Sequence, residues 1–285
     1  MKLDQPIGVY DSGVGGLTVA REIWRQMPRE SLLYFGDTGR VPYGGRPPEE
    51  IIRFSRQIIP FLIDEGAKMI VVACNTSSAL ALPHIQGEFP VPIVGLIEPG
   101  AGAALAASRN GRIGMLATEG TVKSGAYQKA VENGGMKAYA QACPALVPLI
   151  EAGRVGSPEI RTALEGYLEP LRSAGTDTVL LGCTHYPFLE REIRAIMGPG
   201  VELVDPAERV VARAKEILTA RGLLNMGPRG EDRFYVSGDP VEFQKVGSRL
   251  LGMVLPACTK AVLDESGRRF RVPAEGERTW SKKLL

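Results

Sequence analysis

Two cysteines in matched settings are the most reactive pair of side chains in this sequence. Val72-Ala73-Cys74-Asn75-Thr76 and Leu181-Gly182-Cys183-Thr184-His185 each place a thiol directly after a short apolar run and before a stretch of helical character. In open parallel sheets, ligands sit beyond the carboxyl ends of the strands, where the chain turns into a helix. A sulfur there lies near orphan N–H groups and the positive helix end, which predicts a thiol pKa lowered from about 8.5 toward neutrality. A single cysteine of this kind reads most simply as a small buried hydrophobe. Two at matched positions, approaching one ligand from opposite sides of a cleft, have a specific use. Inverting a carbon stereocentre by proton removal needs a base on one face and an acid on the other, and one thiolate with one thiol supplies both. Cys143 and Cys258 lack the motif and a matched partner, and read as structural or incidental.

The first apolar run leads into Asp11-Ser12-Gly13-Val14-Gly15-Gly16, where a dinucleotide fingerprint would begin, but Thr18 occupies its last glycine or alanine position. Asp11 would also repel a pyrophosphate. It suits an ammonium group or a proton relay instead, while Ser12 and nearby N–H groups suit a carboxylate; a generic strand-to-helix turn is the plain alternative. Further donors stand in comparable loops: Tyr43-Gly44 after Asp37, Asn75-Thr76, Thr118 and Thr121, and Thr184-His185. A cysteine-nucleophile hydrolase built on Cys183 and His185 is a rival, although residues at i and i+2 need not meet and no orienting third group is evident. A two-lobed amino-acid binding protein is another, but it would not need matched thiols.

These residues must be positioned by alternating strands and helices. Short apolar runs at residues 7–10, 32–35, 69–73, 93–96, 112–116, 137–142, 178–182, 202–204 and 234–237 read as strands covered on both faces. Pro48 with Glu49 and Glu50, Ser157 with Pro158, and Asp239 with Pro240 and Glu242 read as helix starts. Helices are also expected at 77–85 and 188–197, after the two cysteines. The chain echoes itself: Ile7-Gly8-Val9-Tyr10 recurs at Ile113-Gly114-Met115-Leu116, the Cys74 segment at Cys183, and Glu98-Pro99 at Asp205-Pro206, at shifts of 106, 109 and 107 residues. The expected fold is α/β: two pseudo-symmetric doubly wound domains with mainly parallel sheets and an active site in the cleft between them. Residues 1–97 plus 208–285 are expected to form a discontinuous first lobe and residues 98–207 the second.

A length of 285 residues accommodates two such lobes, and an apolar content of 44% allows each a core. A net charge of +2 gives no electrostatic case for a nucleic acid or membrane-surface partner. The basic pairs Arg268-Arg269 and Lys282-Lys283 read as a solvated tail. No apolar run is long enough to span a membrane, and Asp4 and Pro6 interrupt any secretory signal, so a cytoplasmic location is expected. Four scattered cysteines and two histidines argue against disulfides and structural zinc. No metal is expected, and Lys68 and Lys123 lack a Schiff-base context, so no cofactor is expected either. Oligomeric state is not given; a homodimer is allowed.

Taken together, Asp11-Ser12-Gly13-Val14-Gly15-Gly16-Leu17-Thr18, Tyr34-Phe35-Gly36-Asp37-Thr38, Pro42-Tyr43-Gly44, Ala73-Cys74-Asn75-Thr76 and Leu181-Gly182-Cys183-Thr184-His185-Tyr186-Pro187 resemble the motifs of the bacterial glutamate racemases, in family order, from about residue 6 to residue 255. The resemblance implies cofactor-free interconversion of L- and D-glutamate, with Cys74 and Cys183 as proton donor and acceptor and Asp11 and His185 as their polar assistants. It implies substrate binding by Asp11, Ser12, Tyr43, Gly44, Asn75, Thr76, Thr184 and His185, with additional carboxylate contacts from Thr118 and Thr121. Glu151 is implied near the second cysteine. The family supplies D-glutamate for peptidoglycan synthesis, which implies a role in cell-wall biogenesis and cell shape. Racemisation of aspartate or another acidic substrate on the same frame stays open, because pocket depth is not readable from spacing.

Overall fold

A computed structural model describes residues 2–274 and contains two separate parallel sheets. The strands in chain order are β1 (Ile7–Asp11), β2 (Leu32–Gly36), β3 (Met69–Val72), β4 (Ile93–Gly95), β5 (Arg112–Ala117), β6 (Lys137–Ala142), β7 (Thr178–Gly182), β8 (Glu202–Val204), β9 (Arg233–Val236) and β10 (Cys258–Lys260), followed by a short hairpin of β11 (Val262–Leu263) and β12 (Phe270–Arg271). The first sheet has the order β10-β9-β2-β1-β3-β4 and the second β6-β5-β7-β8. Within them, β2-β1-β3-β4 and β6-β5-β7-β8 are the same arrangement. The sequence echo is therefore a repeated topology, and β9 adds beside β2.

The central strands β1, β3 and β7 are buried at every position, which is why their sequences are continuously apolar rather than alternating. The first sheet is covered on both faces. Val9, Leu17 and Ile23 pack with Val210, Val211 and Leu218 on one side, and Phe35, Ile58, Leu62 and Ile70 on the other. Helix Pro206–Ala220 thus returns to the first sheet directly after β8. Conversely, helix Ile97–Ala107 leaves β4 to place Ala101 and Ala104 against Ile113, Met115 and Tyr127 of the second unit. The chain crosses between the two units at these helix starts.

Three of the helix starts are capped as their sequences require. Ser157 Oγ accepts from Ile160 N at 3.4 Å, Asp239 Oδ1 accepts from Val241 N and Glu242 N at 2.8 and 3.1 Å, and Asp205 Oδ1 accepts from Ala207 N at 2.9 Å. Burial pushes the Asp205 carboxyl up to about 6, against this backbone bond and the charge of Arg21. A carboxyl raised in the folded state leaves the fold more stable below its unfolded pKa, near 4, and costs stability as pH rises through about 6. Asn keeps the cap acceptor without the charge. Asp205→Asn should therefore raise unfolding free energy at pH 7 by up to about 3 kcal/mol, with the gain shrinking toward zero below pH 4, as urea titrations at both pH values would show.

Three expectations change. The single helix expected at 77–85 is two, Asn75–Leu80 and Leu82–Ile85, because Pro83 has no N–H to continue the ladder. The helix expected from Phe188 is preceded by a 3₁₀ turn, Tyr186–Leu189, and spans Glu190–Met197. Arg268 and Arg269 are solvated, but not in a tail: both are exposed in the turn before β12, Arg269 Nη1 lies 3.5 Å from Asp64, and the next residue, Phe270, is buried. Lys282 and Lys283 fall outside the described residues. No helix among the described residues is long and apolar enough to cross a membrane.

Candidate active site

Cys74 follows β3 and Cys183 follows β7, equivalent positions in the repeated units, and both line one cavity of about 200 Å³. That volume is at the small end for a ligand pocket and suits a metabolite of amino-acid size. Ser12, Tyr43, Gly44, Asn75, Thr76, Thr118, Thr184 and His185 line the same cavity. A wider groove of about 870 Å³ runs past Glu98, Lys129 and Arg213, but it is open and carries neither cysteine nor histidine.

The two units touch directly around this cavity. Gly120 N donates to the Gly44 carbonyl at 2.7 Å, the Thr76 and Thr118 hydroxyls are 2.9 Å apart, and the Tyr127 hydroxyl donates to Asn75 Oδ1 at 2.6 Å. The glycines of the Asp11–Gly16 turn also acquire a reason. A methyl group at Gly15 would lie 2.4 Å from His185 Nδ1 and 2.5 Å from Thr184 Oγ1, and one at Gly13 would lie 2.9 Å from Glu151 Oε1. They keep the backbone bare where the opposite unit presses against it.

Each sulfur has its own surroundings. Cys183 Sγ is 3.8 Å from His185 Nδ1, and His185 Nε2 is 3.0 Å from Glu151 Oε1. Cys183 and His185, which as i and i+2 neighbours need not meet, therefore do, and Glu151, implied near the second cysteine by the motif resemblance, is the orienting third group. Burial alone would lower the His185 pKa, but the hydrogen bonds and charges of Cys183 and Glu151 outweigh it and raise the value to about 10. A histidine raised in this way stabilises the fold fully below its unfolded pKa of about 6.5 and loses that contribution as pH rises through about 10. Between pH 7 and 10.5 the protein should lose more stability than His185→Gln, as paired urea titrations would show.

Cys74 departs from expectation. Instead of falling toward neutrality, its thiol is pushed up to about 12, by burial first and then by the negative charge of Asp11, against the Ser77 N–H and hydroxyl. The helix that Cys74 caps has only six residues, too little to offset desolvation. Cys74 accordingly holds its proton at neutral pH.

Asp11 is fully buried and does not line the cavity. Its Oδ2 accepts from Gly13 N and Gly16 N at 3.1 and 2.9 Å and so shapes the glycine turn. Burial raises its pKa, opposed by His185 and those N–H groups, and its Oδ1 has no partner. Thr121 stands behind the wall, with its hydroxyl 2.9 Å from that of Thr118. Tyr43 lends the cavity its surroundings but turns its hydroxyl to the buried Asp37. Asn75 lines the cavity, and its Nδ2 is buried without a partner.

Sequence reasoning missed an apolar wall of Val41, Pro42, Val147 and Pro148, together with Glu119 and Cys143. Cys143, which reads as structural or incidental in the sequence, lines the cavity; it follows β6, and its place at a carboxyl strand end is the available signal. Lys68 is fully buried against Glu30 at 2.7 Å, Lys123 is exposed, and neither lines the cavity. No group of three or more His, Cys, Asp or Glu residues able to hold a metal occurs among the described residues.

Comparison with known proteins agrees with this geometry. The model of the Asp/Glu/Hydantoin racemase family matches residues 16–214. A glutamate racemase of Desulforudis audaxviator is 47% identical over 255 residues, covering 86% of this chain and 93% of its own. A Bacillus anthracis glutamate racemase superposes with a TM-score of 0.86 at 37% identity over 92% of this chain and 98% of its own. The Francisella tularensis glutamate racemase, solved in complex with D-glutamate, gives 0.84 at 32% identity over 93% and 99%. With paired thiols in a shared cavity and this likeness along most of its length, the chain belongs to the Asp/Glu/Hydantoin racemase family, among the glutamate racemases, and is a racemase.

Proposed function

We propose that this racemase interconverts L- and D-glutamate without a cofactor, by a two-base mechanism in which Cys74 and Cys183 act on opposite faces of the α-carbon. The reading is carried by one observation: two thiols at equivalent positions of a repeated fold line one small cavity. One sulfur, as thiolate, removes the α-proton while the other, as thiol, delivers a proton to the opposite face; the roles exchange in the reverse direction. Cys74 is protonated at neutral pH and is ready as the acid. His185, held protonated between Cys183 and Glu151, is placed to exchange a proton with Cys183. A thiolate is a modest base for so weak a carbon acid. Fixed donors must therefore stabilise charge as it spreads onto the α-carboxylate, in a site that excludes water. Asn75 Nδ2 and the hydroxyls of Ser12, Thr118 and Thr184 are assigned that work, with Asp11 and Glu151 as positioning groups for the two proton relays.

The two lobes, residues 1–97 plus 208–285 and residues 98–207, are proposed to part for substrate entry and to close for chemistry. The D-glutamate formed is assigned to peptidoglycan synthesis in the cytoplasm, on the motif resemblance alone. Glutamate is preferred to aspartate because the relatives with 47% identity are glutamate racemases. Incubating each enantiomer of both amino acids in deuterated water tests this: glutamate should take up deuterium at Cα and converge on the racemate from either side. Turnover of aspartate alone would change the substrate, and no exchange at Cα of either would end the proposal.

A further inference from the structure

The cavity wall from Val41 to Gly45 has no regular secondary structure, so its shape depends on what holds the loop of residues 38–46 from behind. Arg40 is its main anchor. The Arg40 Nε donates to both oxygens of the fully buried Asp37, at 2.9 and 2.7 Å, and Nη1 donates to Gln57 Oε1. Asp37 in turn accepts from the Tyr43 hydroxyl and, at 2.6 Å, from Ser237. The guanidinium lies 3.9 Å from the centre of the Phe54 ring. A buried carboxylate with a charged partner of this kind is stable only when the geometry is kept, because each group pays a desolvation penalty that the other must offset.

Two of the groups that keep it come from the far end of the chain. The Phe270 ring of β12 lies 5.0 Å from the Arg40 guanidinium, and the Gly267 carbonyl accepts from Gln57 Nε2 at 2.6 Å. Both belong to the β11–β12 hairpin, whose turn is tied by Asp264 N to the Arg269 carbonyl at 2.8 Å and by Arg268 N to Asp264 Oδ1 at 3.0 Å. The Phe270 ring also packs tilted against that of Phe35 in β2, with the ring centres 4.8 Å apart. The family match ends at residue 214, so the hairpin lies beyond it.

We propose that this C-terminal hairpin is a clamp that sets the active-site loop through Arg40, making Arg40 and Phe270 positioning residues for racemisation. The aromatic ring backs the guanidinium that bonds to Asp37, and Gly267 holds Gln57 in place to receive Nη1. Released from the clamp, the loop populates its binding-competent form only part of the time, and apparent affinity falls by that fraction.

The kinetic arm of the test rests on the proposed glutamate racemisation, whereas the exchange arm does not. Three proteins are compared with wild type: Phe270→Leu, which keeps apolar volume without the π face, Phe270→Tyr, which keeps both, and a chain ending at Ala261, which keeps β10 but loses the hairpin. Phe270→Leu and the shortened chain should raise KM for glutamate about tenfold, the effect of a competent fraction near one tenth, with a smaller change in kcat. They should also speed hydrogen exchange at the Arg40 and Arg46 amides, which bond to the Asp37 and Tyr43 carbonyls. Phe270→Tyr should match wild type in both measurements. Equal behaviour of the Leu and Tyr variants, or unchanged exchange in the shortened chain, would overturn the clamp. Should the shortened chain fail to fold, the Leu and Tyr pair decides. Should wild type not racemise glutamate, hydrogen exchange still decides.

Discussion

Cys74→Ser and Cys183→Ser are each expected to slow glutamate racemisation by about 10²- to 10⁴-fold, the usual contribution of a positioned acid or base. Serine preserves size and burial, so the fold should survive, but its hydroxyl is a far weaker acid and its alkoxide is inaccessible at neutral pH. Every inversion uses both faces of the carbon, so either loss should be severe and comparable. The enantiomers are equal in free energy, so each variant must lose kcat/KM by the same factor in both directions. Exchange without inversion need not be lost: the remaining thiol can remove and return the proton on the face it meets. Each variant should therefore wash deuterium into one enantiomer and not the other, with the preferred enantiomer reversed between the two. Chiral chromatography with proton NMR reads both quantities. The hydrolase reading, which the Cys183–His185–Glu151 alignment favours more than the sequence did, demands a different pattern. It requires Cys183 and is indifferent to Cys74, so full turnover by Cys74→Ser would defeat the two-base mechanism.

Gly15→Ala is expected to lower kcat/KM by about 10²-fold, the scale of loss when reacting groups are displaced by about an ångström. The substituent would have to occupy space 2.4 Å from His185 Nδ1 and 2.5 Å from Thr184 Oγ1, both on the opposite unit. Neither neighbour yields cheaply, because His185 is held at both ring nitrogens by Cys183 and Glu151. The methyl group therefore either pushes the units apart or turns the imidazole away from Cys183. Gly15 has an ordinary backbone conformation with no positive φ, so alanine adds no local strain and the effect is one of approach alone. Gly166→Ala is the control, since a methyl group there meets nothing within 4 Å. Near-wild-type activity in Gly15→Ala, with folding intact, would show that the contact is not part of the working conformation.

The legible parts of this protein were those governed by local rules. Strands such as residues 178–182 and caps such as Asp239 declare themselves because burial on both faces and orphan N–H groups each demand particular residue types. The β11–β12 hairpin was not legible: its strands are two residues each, and the exposed pair Arg268-Arg269 gives no sign that the next residue, Phe270, packs on Phe35. The cavity residues divide in the same way. Cys74 and Cys183 share a motif that a self-comparison finds, whereas Cys143 and Val147 reach the same cavity from the turn after β6 and the helix Leu146–Glu151, where the sequence shows no echo. The charge of Asp11 suits an ammonium group or a proton relay, but nothing in its sequence context shows that Gly13 N and Gly16 N, two and five residues on, hold one of its oxygens in the turn.

By itself, the sequence determined that two similar strand-and-helix units exist and that each ends a central strand in a thiol, because periodicity and repetition are properties of the chain. Only the tertiary structure decided how those thiols differ. Burial beside Asp11 keeps Cys74 protonated, while Cys183 stands against a histidine held by Glu151. Desolvation and charge pairing depend on which groups from distant segments share one small volume, and 34 residues separate Glu151 from the histidine it orients.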